Sequence, residues 1–339
     1  MTPLSISVVI PTYNRAQLLP RSITSALREM SNQDELIVVD DGSTDDTEAV
    51  VSRFGNQIRY VRIVKSGAGM ARNAGVEESK KELIAFLDSD DEYMPGRLEL
   101  SRRLLASRPD ILFTFSDMAG TTRKGRIERF LLRTWHQDLR SWDEILSGGV
   151  NYSKLASLPE GLHDFKVYVG SLYTALARAP YLTTITTTVR RESAGDALYF
   201  DEDWPLYEDW GCAGRLAKAG LAAYLEIETA WQHSHGKPRL TSTSMLTEAS
   251  TRLELLKRIW GQDREYLATN GEEYQRLLDH HQILRVRQLF ILGRRREAVK
   301  EIRLLARPSF LYKILAIVPG SLTRVMVVLV RPFRRLIRR

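Results

Sequence analysis

LIAFLDSDDEYMP, residues 83–95, is the stretch on which the reading of this chain turns. Five apolar residues, Leu83 to Leu87, stop abruptly at Asp88, Ser89, Asp90, Asp91 and Glu92. A short apolar run bounded by polar residues reads as a buried strand of a parallel sheet. In an open α/β sheet the ligand sits just beyond the carboxyl ends of the strands, so this strand would deliver three aspartates to a ligand. Carboxylates that close together repel unless a cation lies between them. Mg²⁺ or Mn²⁺ takes oxygen ligands and commonly shares them with phosphates. The competing reading is an acidic turn leading into a helix near Pro95.

The residues before this stretch repeat the same architecture. Ile6–Ile10, Leu36–Val39 and Ile58–Val64 read as strands. Leu18–Met30, a segment capped by Thr44 or Ser43 and running to about Phe54, and Gly67–Glu78 read as helices. Repeated βα units predict a doubly wound sheet. Its strands end in Pro11-Thr12-Tyr13-Asn14-Arg15, in Asp40-Asp41 and in Asp88-Ser89-Asp90-Asp91, three polar ends facing one edge. Beyond residue 118, Asp110–Asp117 and Arg126–Leu131 read as a hairpin, Thr183–Arg190 and Leu221–Ile227 as strands. Tyr207-Glu208-Asp209-Trp210 opens a helix ending at Gly220, a natural C-terminal cap. Trp231–Ser244 reads as a polar loop carrying His233 and His235, and Met245–Ala306 as helical with a break at Gly293.

Composition sets the outer bounds. At 339 residues, 43% hydrophobic and 27% charged, the chain has the make-up of a folded globular protein. The single cysteine, Cys212, excludes an internal disulfide and suits a reducing cytosol. It reads as a packing residue. A strand so close to the N-terminus leaves no expected signal peptide, and no apolar run approaches a membrane span. The net charge of +7 is uneven: Arg285 to Arg339 holds fifteen Lys and Arg against Glu297 and Glu301, so the preceding residues are net acidic. This distribution argues against nucleic acid as substrate of the main domain and points to a tail meeting anionic lipid.

There is no G-x-x-x-x-G-K-[ST], which excludes a P-loop enzyme. Gly67-Ala-Gly69 is followed by Arg72 where a dinucleotide fingerprint needs glycine, and it follows the third strand rather than the first. What remains is an ordered set: VVIPTYNR (8–15), IVVDDGSTDDT (37–47), GAGMARNAG (67–75), FLDSDDEYMP (86–95) and YEDW (207–210). Together these motifs resemble the family 2 glycosyltransferases of the GT-A fold, over roughly residues 4–235.

The resemblance implies an α/β fold, a GT-A-type doubly wound mixed sheet binding a nucleotide-diphosphate sugar, with a C-terminal helical extension. It implies residues 1–118 as the nucleotide-sugar half and 119–240 as the acceptor half. Residues 241–308 would be the extension and 309–339 a basic, apolar tail. By the same resemblance Pro11, Tyr13 and Arg15 surround the nucleotide, Asp41 accepts from the base with Asp40 supporting it, and Asp88 and Ser89 lie by the ribose. Asp90 binds the metal, with Asp91 the other candidate ligand, and Arg72 and Asn73 position the donor. Asp209, beside Glu208, falls where the family keeps its catalytic base, and His233 is a further candidate metal ligand. Mg²⁺ or Mn²⁺ is implied as cofactor, and a glycan or lipid-linked molecule as acceptor.

The residue types suit that chemistry. In inverting transfer the leaving diphosphate gains negative charge, and two unit charges about 4 Å apart attract by about 4 kcal/mol at an effective dielectric of 20. That is about three orders of magnitude in rate. Two departures from the usual pattern stand on the acceptor side: Ala197-Leu198-Tyr199-Phe200-Asp201 before the Glu-Asp pair, and Ala213 after it. Neither Gln-x-x-Arg-Trp nor a membrane bundle is present, so a single-residue transfer in cell-surface polysaccharide synthesis is expected rather than a processive synthase. Two alternatives are a non-catalytic nucleotide-sugar-binding subunit and a sugar nucleotidyltransferase. The first predicts lost carboxylates and the second a Gly-rich basic loop after the first strand, and the sequence shows neither. Ser321–Arg339 predicts a peripheral anchor on the cytoplasmic face of the membrane, against a helix packed on its own domain.

Overall fold

The computed structural model describes residues 3–122, 124–136, 138, 140–204, 206–234 and 244–305. His235 and the tail 309–339 lie outside these residues. The chain divides into two compact units, with breaks between Asp203 and Trp204, between Tyr207 and Glu208, and within the segment 235–243.

The first unit opens with four parallel strands: β1 (Ile6–Thr12), β2 (Glu35–Asp40), β3 (Arg59–Arg62) and β4 (Leu83–Phe86). The runs of β1, β2 and β4 are buried almost throughout, as strands covered on both faces require. The sheet order begins β3-β2-β1-β4, so the chain winds outward from β1 and then crosses back to β4. The switch point between β1 and β4 is where an open α/β sheet forms its crevice. Helices α1 (Leu19–Glu29), α2 (Thr47–Ser52) and α3 (Ala68–Glu78) make the crossovers. Helix α3 lies so close on β1 that a Cβ at Gly75 would stand 2.2 Å from Val9 Cγ1.

β5 (Glu92–Tyr93) leads to α4 (Arg97–Ser107), then to the long β6 (Ile111–Thr121) and β7 (Ile127–Glu128). Short helices α5 (Leu131–His136) and α6 (Trp142–Ile145) precede β8 (Val150–Asn151) and β9 (Lys166–Gly170). There follow α7 (Tyr173–Leu176), β10 (Thr188–Arg190), α8 (Arg191–Ala194), α9 (Glu208–Ala219) and β11 (Leu221–Gln232). The sheet continues β4-β10-β6-β11-β9-β8, with β10 antiparallel to both neighbours and β6 parallel to β11, so it is mixed as expected.

Four local expectations change. Neither Ser43 nor Thr44 caps α2: the Ser43 hydroxyl accepts from the Asn14 N–H, and Asp45 Oδ1 takes the Thr47 N–H at 3.2 Å. The second arm of the 110–131 hairpin is only Ile127–Glu128, because Leu131 begins α5. Thr183–Arg190 is a strand only at Thr188–Arg190. Thr184–Thr186 forms a 3₁₀ turn, and the carbonyls of Ile185 within it and Thr187 just after it accept from the buried Arg97 guanidinium. β11 runs on through Trp231, which pairs with Glu92 and Ala119, so backbone pairing overrides the polar sequence there.

The second unit contains α10 (Met245–Leu255), a π-type turn at Leu256–Trp260, α11 (Arg264–Ile291) and α12 (Arg295–Ile302). Asp263 caps α11 by accepting from the Tyr266 N–H at 3.0 Å. Gly293, at φ 76°, supplies the left-handed turn into α12. Val286, Leu289, Phe290, Ala298 and Ile302 form its core. Among the described residues no helix is long and apolar enough to cross a membrane.

Candidate active site

Three polar strand ends meet around the crevice, two of them bearing carboxylates, each fixed by the chain itself. At the end of β1, Pro11 is part of the ladder and Asn14, at φ 52°, turns its side-chain oxygen to the Thr44 N–H at 2.8 Å. Asn tolerates this left-handed geometry better than most residues. The Tyr13 hydroxyl accepts from Lys65 Nζ at 2.8 Å, and that ammonium lies 4.0 Å from the ring centre. Asp40 is fully buried and accepts from the Ser43 N–H at 2.8 Å and the Tyr60 hydroxyl at 2.6 Å. Burial first, then the Asp40 carboxylate, hold the Tyr60 phenol well above its usual range. Asp41 takes the Ser66 and Gly67 N–H groups at 2.6 and 2.9 Å, tying β2 to the start of α3.

The end of β4 is an acidic turn held from both sides. From α1, Arg21 donates to the Asp90 carbonyl at 2.6 Å and the Ser22 hydroxyl donates to the Asp91 carbonyl at 2.7 Å. From β11, the His233 N–H donates to Asp91 Oδ1 at 3.0 Å. Asp91 is therefore a buried clamp between two elements, while Ser89 is buried beside it. Asp90 points its carboxylate towards Arg15, 3.9 Å from Nε. His233 Nε2 lies 3.1 Å from Glu92 Oε2, and burial lowers the imidazole pKa.

One arginine joins this turn to the helix that bears the base candidate. Arg72 of α3, almost wholly buried, contacts Asp88 Oδ1 at 2.9 Å and Glu208 Oε1 at 3.0 Å. Desolvation raises Asp88, and Arg72 opposes that shift while Asp90 adds to it. Asp209, the second residue of α9, is pushed up to about 6 by burial first and by the adjacent Glu208 second. Its Oδ1 accepts from the Trp210 N–H at 2.8 Å, and the Trp210 indole turns away to the Leu176 carbonyl. A carboxylate with that pKa is ionised at neutral pH and basic enough to take a proton.

Asn73 is occupied differently. Its amide makes a reciprocal pair with the Phe200 backbone, 2.9 Å to the carbonyl and 2.7 Å from the N–H. Phe200 in turn packs edge-on to Phe86 and lies under the Arg72 guanidinium. Gly69 lets α3 approach: a Cβ there would meet Glu208 Cγ at 3.2 Å and Phe200 Cβ at 3.3 Å. Cys212 packs its sulfur on the Ala197 and Leu198 carbonyls, and burial pushes its thiol up to about 12, so it is no nucleophile. Lys65, Arg21 and Phe200 all shape the site without a readable motif. Lys65, one residue before the Ser66-Gly67 segment, and Phe200, within the 197–201 stretch before the Glu-Asp pair, could have been suspected.

Among the described residues no group of three or more His, Cys, Asp or Glu side chains gathers to form an all-protein metal cage. The nearby donor set is Asp90 with Asp88, close enough for the Asp90 charge to be felt at Asp88. One or two carboxylates are the usual protein share of a Mg²⁺ or Mn²⁺ site completed by phosphate oxygens and water, so these residues fit such an ion.

A mixed sheet with its crevice at the β1–β4 switch point, and carboxylates at the ends of β2 and β4, is the arrangement of the GT-A fold. Residues 7–146 match the family described as Glycosyl transferase family 2. A β-1,3-glucosyltransferase of Campylobacter jejuni, named for GalNAc(5)-diNAcBac-PP-undecaprenol, is 37% identical over 98 residues, 27% of this chain and 32% of that one. A putative teichuronic acid biosynthesis glycosyltransferase of Bacillus subtilis is 29% identical over 131 residues, 37% of this chain and 52% of that one. Several other curated relatives are uncharacterized glycosyltransferases, and of the Rickettsia prowazekii one the chain spans 30% of the length. Among solved structures, S. aureus TarS 1-349 with UDP-GlcNAc aligns with a TM-score of 0.56 at 16% identity, over 82% of this chain and 71% of that one. The Pyrobaculum calidifontis mannosyltransferase PcManGT with GDP-Man and Mn²⁺ gives 0.54 at 15% identity, over 99% of this chain and 84% of that one. Likeness at that identity carries the fold.

Proposed function

We propose that the chain is a metal-dependent, inverting glycosyltransferase. It moves one sugar from a nucleotide-diphosphate donor to a hydroxyl of a glycan or lipid-linked acceptor in cell-surface polysaccharide synthesis. The observation that carries this reading is the Asp88–Arg72–Glu208 bridge, which joins the acidic turn after β4 to the helix bearing Asp209. Donor-side carboxylates and a basic carboxylate thereby share one site, as a single displacement requires.

In that reading Tyr13, Lys65 and the Asp41-clamped loop border the nucleotide, and Arg15 faces its phosphates beside Asp90. Asp90, with Asp88, would hold Mg²⁺ or Mn²⁺, which when bound offsets the charge building on the leaving diphosphate. The acceptor oxygen bonds to the anomeric carbon from the face opposite the diphosphate. The bond from that carbon to the diphosphate oxygen breaks, the acceptor proton passes to the Asp209 carboxylate, and the nucleoside diphosphate departs. Arg72 bridges Asp88 and Glu208, and Asp91 and Asn73 hold the walls. Residues 309–339 would meet the cytoplasmic leaflet as a peripheral anchor.

The reading is tested by donor hydrolysis with Mn²⁺ or Mg²⁺ over a panel of nucleotide sugars, wild type beside Asp90→Asn and Asp209→Asn. Metal-dependent release of one nucleoside diphosphate, lost in Asp90→Asn, is the expected result. A donor bound but never cleaved, even with glycan extracts added, would overturn it in favour of a binding subunit. Pyrophosphate release from a sugar phosphate and a nucleoside triphosphate would instead establish a nucleotidyltransferase.

A further inference from the structure

The segment from Thr122 to His136 carries apolar side chains where a folded domain would hide them. Ile127 is 56% exposed, Trp135 43% and Phe130 38%. Phe130 also sits at φ 49°, a left-handed backbone that aromatic residues rarely adopt. Arginines alternate with these side chains: Arg126, Arg129 and Arg133 are each more than half exposed. In sequence, residues 123–135 hold Arg123, Lys124, Arg126, Arg129 and Arg133 against Glu128 alone, within a region that is otherwise net acidic.

Each of the three exposed arginines has an acidic partner beneath it: Arg126 pairs with Glu128, Arg129 with Glu228 and Arg133 with Glu226. A guanidinium has five donors, so one carboxylate contact leaves others for an anion on the outer side. The patch also reaches the active site. Arg129 lies 6.0 Å from the Trp231 ring, Trp231 is 6.2 Å from the His233 ring, and the His233 N–H is the one that clamps Asp91.

We propose that Thr122–His136 is a docking surface for a bilayer leaflet bearing anionic lipid, placing the mouth of the site at the membrane surface. The proposal rests on the sugar-transfer reading and narrows it to an acceptor presented at that surface. Tryptophan and phenylalanine interleaved with basic side chains are the composition favoured at headgroup depth. Exposed guanidinium groups supply the attraction to anionic lipid. A protein partner of matching shape would not require this charge.

The test is hydrogen–deuterium exchange on the full chain with vesicles of phosphatidylcholine alone or with about a quarter phosphatidylglycerol. The expected result is slowed exchange across residues 122–136 with the anionic vesicles, weakened at about 0.5 M salt, where charges are screened within a few ångströms. That protection should be lost in Ile127→Glu with Trp135→Glu, and reduced about tenfold or more in vesicle affinity by Lys124→Glu with Arg126→Glu. All four side chains are surface groups, and an unchanged melting curve checks the fold. Protection confined to residues beyond 305, or none, overturns the proposal. Protection that appears without vesicles as protein concentration rises overturns it too, in favour of a second copy. Donor hydrolysis in vesicle-free solution reports on sugar transfer separately, so the two readings can fail independently.

Discussion

Asp209 is costly to keep ionised where it stands, and in the proposed reading that cost is what makes it a usable base. With its pKa pushed up to about 6, the rate of sugar transfer should fall below about pH 6 as the carboxylate protonates. Glu208 raises that pKa and Arg72 lowers it. In Glu208→Gln the like charge disappears and Arg72 is left with fewer competing partners, so both effects push Asp209 downward. The acid limb of the kcat/KM profile should therefore move to lower pH, and an upward or absent shift would remove Asp209 as the titrating base. The same burial bears on stability. A carboxyl whose folded pKa lies above its unfolded value of 3.8 gains stability as pH falls through 6 and loses it above. Asp209→Asn should thus raise the unfolding free energy at pH 7.5 by about 1–3 kcal/mol, from 1.36 kcal/mol per pKa unit less relaxation. The difference from wild type should close below about pH 4. Denaturant titrations at the two pH values measure it.

At the scale of elements, the site depends on how closely α3 and α4 approach the sheet. Gly75→Ala would drive a Cβ into Val9 Cγ1, and neither the stiff valine nor the central strand can retreat easily. Overpacking of this kind costs about 1–3 kcal/mol, read as a lowered denaturation midpoint with an unchanged m-value. Arg97 is a second pivot: its guanidinium donates to the Ile185 and Thr187 carbonyls, the Thr188 hydroxyl and Ser101. Arg97→Met would strip buried acceptors of their donors and cost about 2–4 kcal/mol. It should also loosen the Thr184–Thr186 turn, visible as faster amide exchange there. The parallel strands were legible because continuous apolar runs leave a plain trace, whereas β10 is three residues amid threonines and β7 only two. β11 outran its apolar run because Trp231 and Gln232 are held by backbone pairing, which sequence polarity does not report.

At the scale of the whole molecule, the acidic turn and the Glu208-Asp209 pair were legible as residues, but not what joins them. Arg72 stands 136 residues before Glu208, and an ion pair across that distance leaves no periodic mark on the sequence. Nor could spacing tell that Asp91 and Asn73 would be spent on backbone groups of His233 and Phe200. The site is thus assembled from strand ends contributed across more than two hundred residues of the first unit, while the second unit has a core of its own. A ligand bridging those strand ends stabilises the first unit by mass action, by about 2.7 kcal/mol at a hundredfold excess over Kd. For a unit of this size each kcal/mol moves the midpoint by about 2–4 °C, so the matching nucleoside diphosphate with Mn²⁺ should raise its Tm by about 5–10 °C. Because Asp90 is the proposed metal ligand, Asp90→Asn or chelation by EDTA should remove most of that shift, and nucleotides with the wrong base should give little at equal concentration. A shift of equal size for every nucleotide, indifferent to metal, would mean that the strand ends bind phosphate without reading a donor.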